Sequence, residues 1–152
     1  MAMILTSSGF DNATRLPARC TCDGENASPP LAWSGVPAGA RSLALVCIDG
    51  DASAGTWYHW AVYDLGPNLT ELAGYQLSTG GALRQAINDF GQPGYGGACP
   101  PSGHGLHHYR FRLYALSIDR LDLPPRPGCR DVERAAEAHA LARADLVGIY
   151  SR

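Results

Sequence analysis

Apolar and polar positions alternate most clearly over Arg110-Phe111-Arg112-Leu113-Tyr114-Ala115-Leu116, the period-2 pattern of a strand with one buried face. The surrounding residues predict a strand over His107–Ile118. If Phe111, Leu113 and Ala115 face the core, His107 and Tyr109 lie on the same side near the beginning of that strand. Leu43 through Ile48 is apolar on both parities, as in a central strand covered on both faces, which predicts a strand over Ser42–Asp49. Further strands are expected at Met3–Thr6 and Tyr58–Leu65, with a short one at Arg84–Asn88. Near the C-terminus the period changes. Val132, Ala135, His139, Ala142 and Leu146 recur at three- and four-residue spacing and predict a helix over Cys129–Leu146. Asp131 would cap it, Glu133 would suit its first turn, and His139 would pack on its apolar stripe.

Between these elements run Pro17–Pro37 and Asn88–Gly105, segments of a length uncommon in compact domains unless they carry function. The 18 glycines and 11 prolines are spread without a period, which indicates a loop-rich β domain rather than a low-complexity chain. No repeat or linker divides the sequence, so residues 1–152 are expected to form one domain, long enough to bury a core.

Composition narrows the function classes. A net charge of -2 and the lack of a basic stripe argue against a nucleic-acid partner. No apolar run reaches the ~20 residues that span a bilayer. The chain does not open on a basic segment followed by an apolar one, so a cytoplasmic location is expected. The five cysteines fit neither a zinc ribbon nor a redox pair, since Cys20 and Cys22 are one residue too close for C-x-x-C. Cys47 lies within a hydrophobic strand. Free thiols in a reducing compartment are the expectation, with a bridge from Cys20 or Cys22 to a distant cysteine as the alternative. The apolar content is compatible with a homodimer face, although no single stripe demands one.

Candidate chemistry collects at strand ends. Asp49 ends a buried strand, with Gly50 and Asp51 immediately after it, and a carboxylate there needs donors or a raised pKa. In Trp57-Tyr58-His59-Trp60-Ala61, parity groups His59 with Trp57 and Ala61. Three ends thus offer Asp49 and Asp51, Trp57 and His59, and His107 and Tyr109. Parity alone does not bring them together: an Asp after a strand is often a turn former, and a strand His often only bonds its neighbours. The glycine-rich run from Asp89 to Pro101 could bring backbone N–H groups close to an anion or simply serve tight turns. It lacks the Lys and Ser/Thr of a nucleotide phosphate loop.

In order and spacing, several segments together resemble the phosphatidylethanolamine-binding protein family, in its bacterial Raf-kinase-inhibitor-like branch. They are Cys22-Asp23-Gly24-Glu25-Asn26-Ala27-Ser28-Pro29-Pro30-Leu31-Ala32-Trp33, Asp49-Gly50-Asp51-Ala52, Trp57-Tyr58-His59-Trp60, Asn88-Asp89-Phe90-Gly91, Gly94 to Pro101, and Gly103 to Phe111. The resemblance implies a mainly β fold, a sandwich of two mostly antiparallel sheets with a C-terminal helix. It also implies a small pocket for phosphate-type groups, including phosphoethanolamine headgroups. By position, the ligand-binding residues would be Asp49, Asp51, Trp57, His59, Gly97, Ala98, Cys99, Pro100, His107 and Tyr109. Protonated His59 and His107 would supply positive charge. Two positions depart from the family pattern. Gly50 stands where proline is usual between the aspartates, and Ala98 where proline precedes the cysteine, and both would soften the pocket wall.

The resulting expectation is a binding module for a small anion or phospholipid headgroup, not an enzyme and with no cofactor, that modulates a protein partner such as a kinase by analogy with the family. Two alternatives use the same residues. A hydrolase would need a nucleophile, for which Cys99 near His107 is the candidate in the absence of a G-x-S-x-G elbow. A zinc site could draw on Asp49, Asp51, His59 and His107, with His104 and His108 close in sequence.

Overall fold

The computed structural model describes residues 2–53, 55–75 and 83–152. Along the chain run β1 (Ile4–Thr6), β2 (Thr14–Arg15), β3 (Leu31–Ser34), β4 (Ser42–Asp49), β5 (Trp57–Leu65), β6 (Glu71–Leu72), β7 (Arg84–Gln85), β8 (His107–Leu116), α1 (Cys129–Ala138) and β9 (Ala140–Tyr150). A three-stranded antiparallel sheet has the order β1-β3-β6, and a six-stranded sheet the order β2-β9-β8-β4-β5-β7. Among the described strands of the large sheet, β2 and β9 pair parallel and the other neighbours antiparallel. The fold is mainly β, with two sheets and one α-helix among the described residues.

Two apolar clusters make three layers. Leu5, Leu31, Trp33 and Leu72 of the small sheet pack against Leu43, Leu45, Cys47, Val62, Phe111, Leu113 and Leu146 of the large one. On the far side of the large sheet, Cys129, Val132 and Ala136 of α1 cover Ala44, Val46, Tyr58, Ala61, Tyr114 and Leu116. Strand β4 lies between β5 and β8 and is covered on both faces, as its unbroken apolar run requires.

The helix is shorter than its stripe suggested. It ends at Ala138, and residues 140–150 form β9 instead. In this segment Ala144, Leu146, Gly148 and Tyr150 are buried on one parity, while Leu141, Arg143 and Asp145 are exposed on the other. Alanine suits a helix in isolation, but here the full length of β8 offers pairing from His107↔Tyr150 to Leu116↔Ala140. Tertiary pairing therefore outweighs local propensity. Gly148 permits the packing around β2, because a Cβ there would sit 2.4 Å from Leu16 Cδ2. Asp131 is not the N-cap but lies three residues beyond it, where its carboxylate accepts from the N–H of the capping Gly128 at 2.9 Å. His139 closes the helix and is exposed rather than packed.

The segment expected to be irregular, Pro17–Pro37, contains β3 and a short 3-10 turn at Ala18–Cys20. The free-thiol expectation is also corrected: Cys22 and Cys99 form a disulfide, while Cys20, Cys47 and Cys129 are free and buried. No helix among the described residues is long and apolar enough to cross a membrane.

Candidate anion site

The C-terminal end of β4 and the N-terminal ends of β5 and β8 meet at one edge of the large sheet because the three strands are antiparallel neighbours. Asp49 is paired across the register with Trp57 on one side and Tyr109 on the other. A bulge adjusts this convergence. Cys47 pairs with Trp60 and Ile48 with Tyr58, so His59 is the extra residue of β5. The parity grouping of His59 with Ala61 is corrected by this bulge, since Ala61 packs on the helix side while Trp60 faces the small sheet.

Trp57, His59, Asp49, His107 and Tyr109 line a cavity of about 230 Å³ together with Ala52, Ser53, Phe90, Cys99, Pro100 and Pro101. That is below the ~300–1,000 Å³ typical of pockets for drug-sized ligands. The remaining three expected residues are placed elsewhere. Asp51 is exposed, and its carboxylate accepts from both the backbone N–H and the ring Nδ1 of His108 at 2.8 Å. These bonds hold the Asp51 carboxyl below the usual carboxylate range. Gly97 lines a second cavity, and Ala98 is buried. Gly97 is required by close approach: a Cβ there would lie 2.3 Å from Asn26 Oδ1 and 2.4 Å from the Cys20 carbonyl oxygen.

Asp49 is buried and fully engaged. Its Oδ1 accepts from the N–H of Asp51 at 2.8 Å, and its Oδ2 from His107 Nδ1 at 2.6 Å. The first bond closes an Asx turn over Gly50, so the position expected to be loose is tied. Ala98 is tied likewise, its carbonyl accepting from the N–H of Cys22 at 3.0 Å beside the disulfide. His107 is buried with both ring nitrogens in use. Its Nδ1 is paired with Asp49 Oδ2, and its Nε2 lies 2.6 Å from His104 Nδ1. His59 Nδ1 donates to the Gly96 carbonyl at 2.7 Å, which leaves Nε2 as the acceptor of its neutral ring. Burial lowers the His59 pKa, so at neutral pH this ring is uncharged. His59 is thus not a cation at neutral pH, and both ring nitrogens of His107 are already engaged within the protein.

The donors that remain belong to two aromatic residues. Trp57 Nε1 and Tyr109 Oη are buried without a hydrogen-bond partner among the described residues. Burial, with the nearby Asp49 charge second, pushes the Tyr109 hydroxyl far above its ordinary value, so it stays protonated and donates. The rings are held in place by edge-on contacts, Trp57 to Phe90 at 5.5 Å and His59 to Tyr109 at 5.2 Å between centroids.

The sequence pattern of the phosphatidylethanolamine-binding protein family matches residues 6–151. The chain belongs to this family. A curated relative from Methanothermobacter thermautotrophicus, named only as a UPF0098 protein, is 47% identical over 99% of both chains. Another UPF0098 protein, from Aquifex aeolicus, is 42% identical over 99% of this chain and 89% of its own length. Among solved structures, Escherichia coli YbcL, described as a new member of the mammalian family, aligns with a TM-score of 0.89 and 31% identity. It covers 100% of this chain and 99% of its own.

Within this family member, sequence reasoning missed Phe90, Ala52 and Ser53 as lining residues, and His104 as the partner of His107. Phe90 and His104 stand in segments the sequence had singled out. What it lacked was a signal for direction, because loop residues obey no parity.

Proposed function

We propose that this chain binds a small phosphate-type anion, free or as the headgroup of a phosphate ester, in the cavity between Trp57, His59 and Tyr109. One observation carries the reading: two buried donors, Trp57 Nε1 and Tyr109 Oη, lack a partner among the described residues and belong to residues lining the same cavity. An unsatisfied buried polar group costs about 1–3 kcal/mol, and a ligand oxygen would offset that cost. Among the described residues no Lys or Arg lines the cavity, so neutral donors in an apolar surround would hold the charge. The neutral His59 Nε2 suits the P–OH of a monoanion, and a protonated His59 would add charge at lower pH. Asp49 in the same wall favours an ester whose other end carries an ammonium, as in phosphoethanolamine.

The contacts favour binding over catalysis. Cys99, the candidate nucleophile, is held in a disulfide, and the Asp49 and Asp51 carboxylates are each committed to a histidine. The disulfide also favours an oxidising compartment over the cytoplasm. Isothermal titration calorimetry at pH 6 with inorganic phosphate, O-phosphoethanolamine and ethanolamine tests the proposal. Saturable 1:1 heats are expected for the first two and none for ethanolamine; absence of heat with both phosphates at millimolar concentration would reject it.

A further inference from the structure

The disulfide stands where the binding reading has no use for it. Cys22 and Cys99 are both exposed, whereas the three free cysteines are buried. Burial pushes the Cys20 thiol up to about 11, the Cys129 thiol up to about 12, and Cys47 well above its ordinary value. Thiol chemistry on this molecule is therefore confined to one bond. Cys99 lines the anion cavity and also a neighbouring cavity of about 330 Å³, on whose wall Cys22 lies.

The two sulfurs are not equivalent. Arg152 Nη1 lies 3.5 Å from Cys99 Sγ. That guanidinium is anchored through Nε to Asp23 at 3.3 Å, and Asp23 accepts from the Tyr150 hydroxyl at 2.6 Å. A fixed cation beside Cys99 stabilises a thiolate there, whereas Cys22 is followed directly by the acidic Asp23. The better leaving group is therefore Cys99, and the sulfur open to attack is Cys22.

We infer that Cys22–Cys99 is a thiol–disulfide exchange site, attacked at Cys22 by a dithiol reductant and releasing Cys99 as a thiolate in the wall of the anion cavity. One thiolate of the reductant bonds to Cys22 Sγ as the Cys22–Cys99 bond breaks, its electron pair passing to Cys99. The second reductant thiolate then attacks its own sulfur in that mixed disulfide, so the reductant leaves oxidised and Cys22 leaves as a thiolate that takes up a proton. The loop keeps its shape through other ties. Gly97 N–H donates to Asn26 Oδ1 at 2.8 Å, the Tyr95 hydroxyl to the Cys20 carbonyl at 2.6 Å, and Gly96 N–H to the His59 carbonyl at 2.9 Å. Reduction thus changes charge more than shape: a neutral disulfide wall becomes an anionic one, which repels an anion. The exchange chemistry stands apart from the anion reading, and only this last consequence rests on it.

Two measurements test the exchange site. Wild-type protein treated with glutathione, alkylated and mapped by peptide mass spectrometry is expected to carry the adduct on Cys22 and the alkyl group on Cys99. In C22S, iodoacetamide should label Cys99 with an apparent pKa below the ordinary ~8.5 of a free thiol, and R152Q should raise it. An adduct on Cys99, or a disulfide untouched by millimolar dithiothreitol in the folded protein, would overturn the inference; the mapping needs no substitution to fold. Phosphate affinity is then compared in oxidised and reduced wild type, with a fall of several-fold expected on reduction. Absence of phosphate binding in both forms would reject the anion reading while leaving the mapped exchange site standing. Equal affinity in both forms would overturn the coupling of the two.

Discussion

Replacing Tyr109 by Phe removes one oxygen that is buried without a hydrogen-bond partner, and it leaves the ring packing in place. The effects on stability and on binding should have opposite signs. In the free protein the unpaired hydroxyl costs about 1–3 kcal/mol, so its removal should stabilise by about 1 kcal/mol. For a chain of this size that raises Tm by about 2–4 °C. With an anion bound, the same hydroxyl donates to a charged acceptor, a contact worth about 1.5–3 kcal/mol. Its loss should weaken phosphate binding about 10- to 150-fold. Differential scanning calorimetry without phosphate and titration calorimetry with it read the two effects separately. A lowered Tm would mean the hydroxyl has a partner in the free protein, and an affinity within about twofold of wild type would mean the anion does not reach Tyr109.

Other variants probe neighbouring parts of the account. Sulfate, which does not titrate near neutrality, should bind more tightly as pH falls through the range below His59's ordinary 6.5, and His59→Gln should abolish that dependence in calorimetric titrations. Without ligand the sign reverses. Burial lowers the folded His59 pKa, so the unfolded chain takes up the proton first and stability to urea should fall as pH drops through the same range. Asp51→Asn should change stability by less than ~1 kcal/mol in urea melts and leave phosphate affinity nearly unchanged, since Asp51 is exposed and bonded to His108 outside the cavity. Gly97→Ala should cost about 1–3 kcal/mol in the same melts, because its Cβ would meet the Cys20 carbonyl oxygen at 2.4 Å.

Much of the fold was legible where side-chain parity speaks. The unbroken apolar run of β4 and the alternation of β8 appear as a doubly covered strand and a strand with one face in the main core. The misreadings arose where two signals coincide or a third dimension intervenes. Ala142 and Leu146 fit a helical stripe and a period-2 strand equally well, and only the availability of β8 as a partner decides between them. Leu31–Ser34 is too short and too close to Pro29 and Pro30 to stand out. At the site, Asp49, Trp57, His107 and Tyr109 came from strand ends that antiparallel pairing must bring together. Asp51 lies two residues past the strand and turns away to His108. The Cys22–Cys99 bond joins residues 77 apart, a separation that leaves no local pattern.

The central claim, that unpartnered donors in this cavity await an anion, is most directly tested by the indole N–H resonances of the three tryptophans in a proton–nitrogen correlation spectrum during phosphate titration. Trp33 Nε1 donates to the Leu69 carbonyl at 2.8 Å and Trp60 Nε1 to Gln85 Oε1 at 2.7 Å, whereas Trp57 Nε1 has no partner among the described residues. The account predicts a saturable downfield shift of the Trp57 resonance alone. A stationary Trp57 signal at millimolar phosphate, or equal drift of all three, would contradict it.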